Sequence, residues 1–121
     1  MPLTLIVEDE PGIQEILMEL VGALGYRASV AGTAADVMTL VEIDRPDAIV
    51  LNIELPDARR TMTLDRLRGV RPNVPIVMLT GNADEAIART TLKRGAFDYI
   101  SKPFAARRVV AVLEAAVDAR L

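Results

Sequence analysis

The sequence predicts an α/β protein: a doubly wound, five-stranded parallel sheet with helices on both faces. Two observations point to this class. Short apolar runs alternate strictly with segments whose apolar residues recur at helical spacing, throughout the 121 residues. The connections between them are short, which is typical of parallel sheets built from strand–helix units. Because no linker, repeat or low-complexity segment interrupts this order, residues 1–121 are expected to form a single domain.

The first strand–helix unit occupies the first 25 residues. Leu3 to Val7 is a short apolar run, as expected of a strand buried on both faces. A helix is predicted to begin at Pro11, because a proline at the first helical position loses no hydrogen bond. Gly25 ends this helix. Its apolar face consists of Ile13, Ile16, Leu17, Leu20, Val21 and Leu24.

The second unit has a weaker strand and a marked helix start. The strand is predicted from Tyr26 to Val30. Thr33 and Asp36 resemble a capping box with a shorter acid, and Pro46 is expected to end the helix. The helix face toward the core is predicted to carry Val37, Leu40 and Val41.

The remaining units repeat the pattern. Ala48 to Ile53 is the most apolar strand, and the polar helix after it spans about Thr61 to Val70, with Leu64 and Leu67 facing inward. The fourth and fifth units are predicted as strand Val74–Leu79, helix Ala83–Arg94 ended by Gly95, strand Phe97–Ser101 and helix Ala105–Arg120. The last helix is expected to bury Val109, Val112, Leu113, Ala116 and Val117.

Composition excludes several kinds of chemistry. The chain has no cysteine, and so no thiol nucleophile, and no histidine, the commonest general base and zinc ligand. A net charge of −3 gives no basic footprint for nucleic acid. No apolar run reaches the length of a membrane span, and the first residues lack the charged start of a signal peptide. We expect a soluble, cytoplasmic domain without direct contact to nucleic acid or membrane.

Polar residues lie at the carboxyl ends of four predicted strands. Glu8 and Asp9 follow strand 1, and Asn52, Thr80 and Lys102 lie at the ends of strands 3, 4 and 5. Because ligands of such sheets bind beyond the carboxyl ends of the strands, these side chains are expected to meet. Two acids, a hydroxyl and an ammonium group suit a divalent metal and a phosphoryl group. The centre of the site should hold a nucleophile, but it holds an amide.

From Leu3 to the last helix, the chain resembles the receiver domain of bacterial two-component response regulators. The motifs that carry the resemblance are Ile6–Glu10, Pro46–Asn52, Leu55-Pro56, Met78–Gly81 and Gly95–Phe104. Each is weak alone, but the set in this order and at receiver spacing is specific. The resemblance implies a flavodoxin-like strand order 2-1-3-4-5. It also implies a Mg²⁺-dependent aspartyl-phosphate switch in a phosphorelay, rather than a turnover enzyme.

The resemblance also assigns a metal site. Glu8 and Asp9 would hold Mg²⁺ together with the backbone carbonyl of Glu54 and the side chain at position 52, which is the phosphoacceptor position. Oxygen ligands in octahedral geometry are what Mg²⁺ prefers. Because Asn52 lacks the charge of a carboxylate, Mg²⁺ is expected to bind more weakly than it would beside an aspartate.

Three further residues receive switch roles from the resemblance. Thr80 and Lys102 would contact the phosphoryl oxygens, and Tyr99 would swing inward as Thr80 moves. Pro103 allows a cis peptide bond, which would aim the lysine back over the sheet. For Tyr99, static packing with the neighbouring phenylalanines is an equally good interpretation.

The sequence departs from the family in two places. Asn52 stands where receivers carry aspartate, and an amide makes no stable acyl phosphate. Arg59 and Arg60 stand where receivers usually carry Asp-Gly, so the loop after strand 3 must take another shape, since arginine lacks glycine's freedom at positive φ. Asn52 is either natural, in a pseudo-receiver that works constitutively by binding, or an engineered replacement of a native aspartate that blocks phosphorylation.

Other interpretations remain open at this point. Residues 8–10 could be a solvated acidic turn before a helix. A small phosphatase of the dehalogenase type or a flavin-binding protein could share the topology, because a fold alone does not fix function. The phosphatase would need two aspartates two residues apart after strand 1, and the flavin protein a hydroxyl- and glycine-rich loop there. The sequence has neither.

The resemblance implies protein partners. A histidine kinase or a histidine phosphotransfer protein would be the phosphodonor, and a downstream output protein or domain would bind the face of helix 4, strand 5 and helix 5. That face mixes charges of both signs, which suits a transient, salt-sensitive contact and a mainly monomeric domain. Its charged residues are Asp84, Glu85, Arg89, Lys93, Arg94, Asp98, Arg107, Arg108 and Glu114.

Overall fold

Five parallel strands form one sheet in the order β2-β1-β3-β4-β5. The computed structural model describes residues 1–59, 61–81 and 85–120. Within them the strands are β1 Leu3–Val7, β2 Arg27–Ala31, β3 Ala48–Asn52, β4 Ile76–Gly81 and β5 Asp98–Lys102. The predicted fold class and strand order are confirmed.

Helices cover both faces of the sheet. In the described part of the chain they are α1 Pro11–Ala23, α2 Ala34–Asp44, α3 Met62–Val70, α4 Glu85–Lys93 and α5 Ala106–Asp118. Buried side chains of α1 and α5 form one core, whereas those of α2 and α3 form a second core on the opposite face, with α4 beside them. The five α5 residues predicted to be buried are buried.

The two cores follow from the alternation of side chains along each strand. In β1, Leu5 and Val7 join the α2–α3 core, whereas Ile6 joins the α1–α5 core. Every residue of β1 and β3 is buried, while the edge strand β2 begins with two exposed residues. The order of strands reverses between β1 and β3, which is the position where sheets of this type bind ligands.

Some details of the structure differ from the prediction, and β2, β3 and β5 each have at least one bound one residue from the predicted position. The fourth strand begins at Ile76 instead of Val74, after Pro75, which has no N–H to donate to a ladder. The prediction that Pro46 ends α2 agrees with the structure, since the helix ends at Asp44 and Arg45 caps it in the left-handed conformation with φ 49°. Ile16 is 48% exposed, although its spacing placed it on the apolar face of α1.

Several predictions lie outside the described residues. They are the part of the unusual loop at Arg60, the helix start at Ala83, and the surface positions Asp84 and Leu121. In the segments that are described, no helix combines the length and the apolar character needed to cross a membrane.

Candidate functional site

The carboxyl ends of the strands bring the predicted site residues to one edge of the sheet. Glu8 directly follows β1, and Asn52 is the last residue of β3. At the other side of the site, Gly81 of β4 lies beside Lys102 of β5, and Thr80 lies one residue before the end of β4. Side-chain hydrogen bonds connect Glu8 to Asn52 and to Lys102 across 44 and 94 positions of sequence.

Glu8 is a fully buried carboxylate with partners on both oxygens. Its Oε2 accepts hydrogen bonds from the backbone N–H groups of Asp9, at 2.9 Å, and Glu10, at 3.1 Å. Its Oε1 lies 2.8 Å from the Lys102 ammonium. The interpretation of residues 8–10 as a solvated turn is therefore wrong for Glu8, which is 0% exposed, although Asp9 and Glu10 are exposed.

The Asn52 carboxamide lies at the centre of the site and is 3% exposed. Its Nδ2 donates to Glu8 Oε2 at 3.1 Å and to Asp9 Oδ1 at 3.2 Å, and lies 3.5 Å from the backbone oxygen of Glu54. On its other side, Oδ1 accepts a hydrogen bond from Glu54 N–H at 3.1 Å. Both ends of the amide therefore have partners of the opposite kind, which fixes its orientation.

The oxygen atoms around the amide have the chemistry of a Mg²⁺ site but not its arrangement. Two carboxylates and a carbonyl, from Glu8, Asp9 and Glu54, are hard oxygen donors of the kind Mg²⁺ takes. All three face the amide hydrogens of Asn52, and positive hydrogens directed at a ligand set oppose a cation there. Across the described ranges, no three His, Cys, Asp or Glu side chains are grouped as metal ligands. As arranged, these residues do not fit a bound Mg²⁺.

Apart from Lys102, the residues on β4 and β5 have weaker contacts in the described part of the chain. Thr80 is fully buried, and its Oγ1 lies 3.5 Å from Ser101 Oγ. Tyr99 is partly buried and packs against the α2–α3 core. Its backbone carbonyl accepts a hydrogen bond from Arg108 at 2.9 Å, and the same guanidinium pairs with Asp98 at 3.3 Å.

A groove of about 530 Å³ borders the site between α1 and β5. Its lining is Ile13, Ile16, Gly81, Lys102, Pro103 and Phe104. The Lys102–Pro103 peptide bond is cis.

The carboxylate of Glu54 lies across Gly81, where an added Cβ would come within 2.6 Å of Glu54 Oε1. Glycine at this position therefore leaves room for the Glu54 side chain.

Asp57 is a structural residue of the site that the sequence reasoning missed. It lies in the loop after β3, and its carboxylate accepts hydrogen bonds from the first backbone N–H groups of α2, Ala34 at 2.8 Å and Ala35 at 3.1 Å. The bond from Ala34, with a smaller contribution from Ala35, lowers the pKa of Asp57 below its usual range. The only signal in the sequence was an acid in this loop, because its partners lie more than 20 positions earlier.

Two ion pairs involve arginines of the predicted output face. Arg89 and Glu85 lie 3.5 Å apart on α4, and Arg94 of the α4–β5 connection lies 3.0 Å from Asp65 of α3. Two large apolar side chains near this face are also exposed. They are Leu92, at 39%, and Phe97, at 37%.

Comparison with known families gives a match over most of the chain. Residues 4–114 match the model of the response regulator receiver domain. Among curated proteins, the nitrogen assimilation regulatory protein NtrX of Azorhizobium caulinodans is 36% identical over 116 residues, which is 94% of this chain and 26% of the relative. The probable transcriptional regulatory protein TcrX of Mycobacterium tuberculosis is 33% identical and covers 92% of this chain, which spans 47% of that relative.

Solved structures give the same result. The receiver domain of NtrX from Brucella abortus superposes with a TM-score of 0.91 at 28% identity and covers 95% of this chain and 98% of its own. A response regulator from Chloroflexus aurantiacus also gives a TM-score of 0.91, at 25% identity, with 97% and 98% covered. Fold, motif order and both kinds of similarity agree, and the chain belongs to the response regulator receiver domain family.

Proposed function

We propose that this chain is a receiver domain that does not accept a phosphoryl group, with Asn52 at the phosphoacceptor position. The observation that carries the proposal is the environment of Asn52. It ends β3 in the middle of the site, buried between Glu8 and Asp9. An aspartate there would offer a carboxylate oxygen as nucleophile. The lone pair of the amide nitrogen is delocalised, and the amide oxygen forms no stable acyl phosphate.

The origin of Asn52 does not change this chemistry. A natural asparagine and a substituted aspartate give the same side chain, and the amide is hydrogen-bonded at both ends. The two origins differ in the role that the surrounding residues have. If the native residue is aspartate, Thr80, Lys102 and Tyr99 form a switch that is blocked in this chain. In a natural pseudo-receiver, the domain acts constitutively through protein contacts.

Receiver domains interact with histidine kinases and output domains, and they generally bind Mg²⁺ for phosphorylation. Our proposal gives this chain the same kinds of protein partner. The output partner binds the face formed by α4, β5 and α5. On this face Arg108 donates hydrogen bonds to the Asp98 carboxylate and to the backbone carbonyl of Tyr99. Contact by charged side chains suits a transient association. A cytoplasmic location and the lack of direct contact with nucleic acid remain predictions.

Incubation with acetyl phosphate and Mg²⁺ followed by intact-mass spectrometry tests the proposal. The chain as it stands is expected to gain no phosphate, whereas Asn52→Asp gains one. Asn52→Ala serves as the control for non-specific labelling. Phosphate on the unchanged chain that is absent from Asn52→Ala would overturn the proposal. A variant Asn52→Asp that stays unmodified would mean that the loop after β3, with Arg59, does not support the reaction, which favours the pseudo-receiver.

A further inference from the structure

We infer that the Asn52 amide and the Lys102 ammonium together replace the cation at this site, so that the folded chain is independent of Mg²⁺. The inference rests on the proposed function, because it takes Asn52 to occupy the phosphoacceptor position. It goes further in assigning the amide a positive role. Beyond failing to react, Asn52 donates hydrogen bonds to the oxygens that a metal ion would otherwise neutralise.

The Asn52 amide group faces several oxygen acceptors at once. The amide NH₂ has two hydrogens, and three oxygen acceptors lie within 3.1–3.5 Å of its nitrogen. Two of them belong to the carboxylates of Glu8 and Asp9. Hydrogen bonds to charged acceptors are about twice as strong as bonds between neutral groups. The amide thus supplies to these oxygens the positive hydrogens that compensate their charge.

The Asn52 amide cannot turn freely. Its Oδ1 accepts the backbone N–H of Glu54 at 3.1 Å. A turned amide would place Oδ1 against the carboxylates of Glu8 and Asp9, and NH₂ against that N–H group. A cation could use Oδ1 as a ligand only after this turn, which breaks the bonds on both sides of the amide. Binding of Mg²⁺ therefore competes with a network that is already complete.

The charges around position 52 also favour an amide over a carboxylate when no cation is bound. Glu8 is 0% exposed, and the Lys102 ammonium at 2.8 Å neutralises it. With Asp9, the site holds two carboxylates and one ammonium. A carboxylate in place of Asn52 would add a second uncompensated negative charge and would have no hydrogen to donate. Like charges in one buried site repel, and a divalent cation relieves that repulsion.

Thermal unfolding in EDTA and in millimolar Mg²⁺ tests this inference. The unchanged chain is expected to unfold at the same temperature in both. Asn52→Asp should unfold lower than the unchanged chain in EDTA, by about 5 °C or more, and Mg²⁺ should raise its midpoint. Asn73→Asp, the same chemical change at an exposed residue between α3 and β4, is the matched control and should respond to neither condition.

A second variant keeps the test decisive if Asn52→Asp does not fold. Asn52→Ala removes the NH₂ group without adding charge, so Mg²⁺ should stabilise it more than it stabilises the unchanged chain. The inference is overturned if Mg²⁺ raises the midpoint of the unchanged chain as much as that of either variant. It is also overturned if Asn52→Asp in EDTA is as stable as the unchanged chain. Acetyl phosphate labelling of the unchanged chain would instead overturn the proposed function, and the unfolding midpoints are independent of it.

Discussion

The two halves of the site differ in how completely their polar groups are bonded. On the β1–β3 side, Glu8 has partners on both carboxylate oxygens, and the Asn52 amide has partners at both ends. At the end of β4, the fully buried Thr80 hydroxyl has, among the described residues, one long contact, 3.5 Å, to Ser101. A side-chain hydroxyl with so weak a partner can exchange it at little cost, whereas the bonded amide cannot.

This difference separates two parts of a switch. In the part that would receive phosphate and metal, the buried groups of Glu8 and Asn52 are bonded to the chain's own groups. The part that would respond, formed by Thr80 and Tyr99, keeps a loosely held hydroxyl and a partly buried ring. If Asn52 occupies the phosphoacceptor position, as we propose, its amide bonds the groups that would receive phosphate and leaves the contacts of Thr80 and Tyr99 as they are.

The largest effect is expected when the ion pair between Glu8 and Lys102 of β5 is removed. Lys102→Met keeps most of the apolar stem but leaves Glu8 buried without a counter-charge, and removal of one partner of a buried pair typically lowers the free energy of unfolding by about 3 kcal/mol. Chemical denaturation measures this. Lys93→Met, at an exposed lysine of α4, is the control and should change stability little. If the two variants lost equal amounts of unfolding free energy, the Glu8–Lys102 pair would contribute no more to stability than an exposed lysine does.

The second prediction concerns Asp57, in the loop that follows β3. Because backbone hydrogen bonds lower the pKa of Asp57 in the folded chain, its carboxylate stabilises the fold above the pKa of the unfolded chain. That stability is lost as the pH falls through the folded value. Asp57→Asn should therefore be less stable than the unchanged chain at neutral pH, and the difference should shrink below the ordinary aspartate pKa.

Unfolding at a series of pH values checks this prediction. Asp36→Asn is a suitable comparison, because Asp36 also lies in the first turn of α2, but its contribution to the cap is its backbone N–H. A difference between Asp57→Asn and the unchanged chain that is constant with pH would show that the carboxylate charge is irrelevant to the cap.

A smaller effect is expected in the loosely bonded half. Thr80→Val preserves the shape of the side chain and removes the 3.5 Å contact to Ser101, so the free energy of unfolding should fall by less than about 1 kcal/mol. Chemical denaturation of this variant beside Asn52→Ala compares the two halves directly. If Thr80→Val proved the more destabilising, the assignment of tight and loose halves would be reversed.

The smallest effect is expected at Gly81. A Cβ there would lie 2.6 Å from Glu54 Oε1 and 3.3 Å from Glu54 Cδ, and both atoms are at the far end of a flexible, exposed side chain. Gly81→Ala should therefore move the Glu54 carboxylate aside and leave the unfolding midpoint nearly unchanged. A large loss of stability would indicate that the Glu54 carboxylate is held in place by bonds that the site needs.

The apolar pattern of the sequence was sufficient to predict the fold class and which polar residues meet at one edge of the sheet. Strands β1 and β3 are buried on both faces, so their residues had to be apolar, and the first polar residues after them mark the edge where ligands bind. This is why Glu8 and Asn52 could be identified without coordinates. Ile16 was misplaced because helical spacing alone does not reveal that no neighbouring element covers that part of α1.

Pairings across long stretches of sequence could not be predicted. The direction of the Asn52 amide depends on Glu54 N–H on one side and on Glu8, 44 positions away, on the other. The cap of α2 by Asp57 likewise depends on where the loop after β3 crosses the start of that helix. Residue types indicate which groups can form hydrogen bonds, but only the fold determines which of them meet.

Calorimetric titration with Mg²⁺ tests most directly whether Asn52 stands in for the cation. The unchanged chain, Asn52→Asp and Asp9→Asn are compared at one pH and ionic strength. We predict that Asn52→Asp binds Mg²⁺ at least about tenfold more tightly than the unchanged chain, because it adds one negative charge near the cation and removes the competing amide hydrogens. Asp9→Asn should abolish the residual binding. Equal or tighter binding by the unchanged chain would contradict the account.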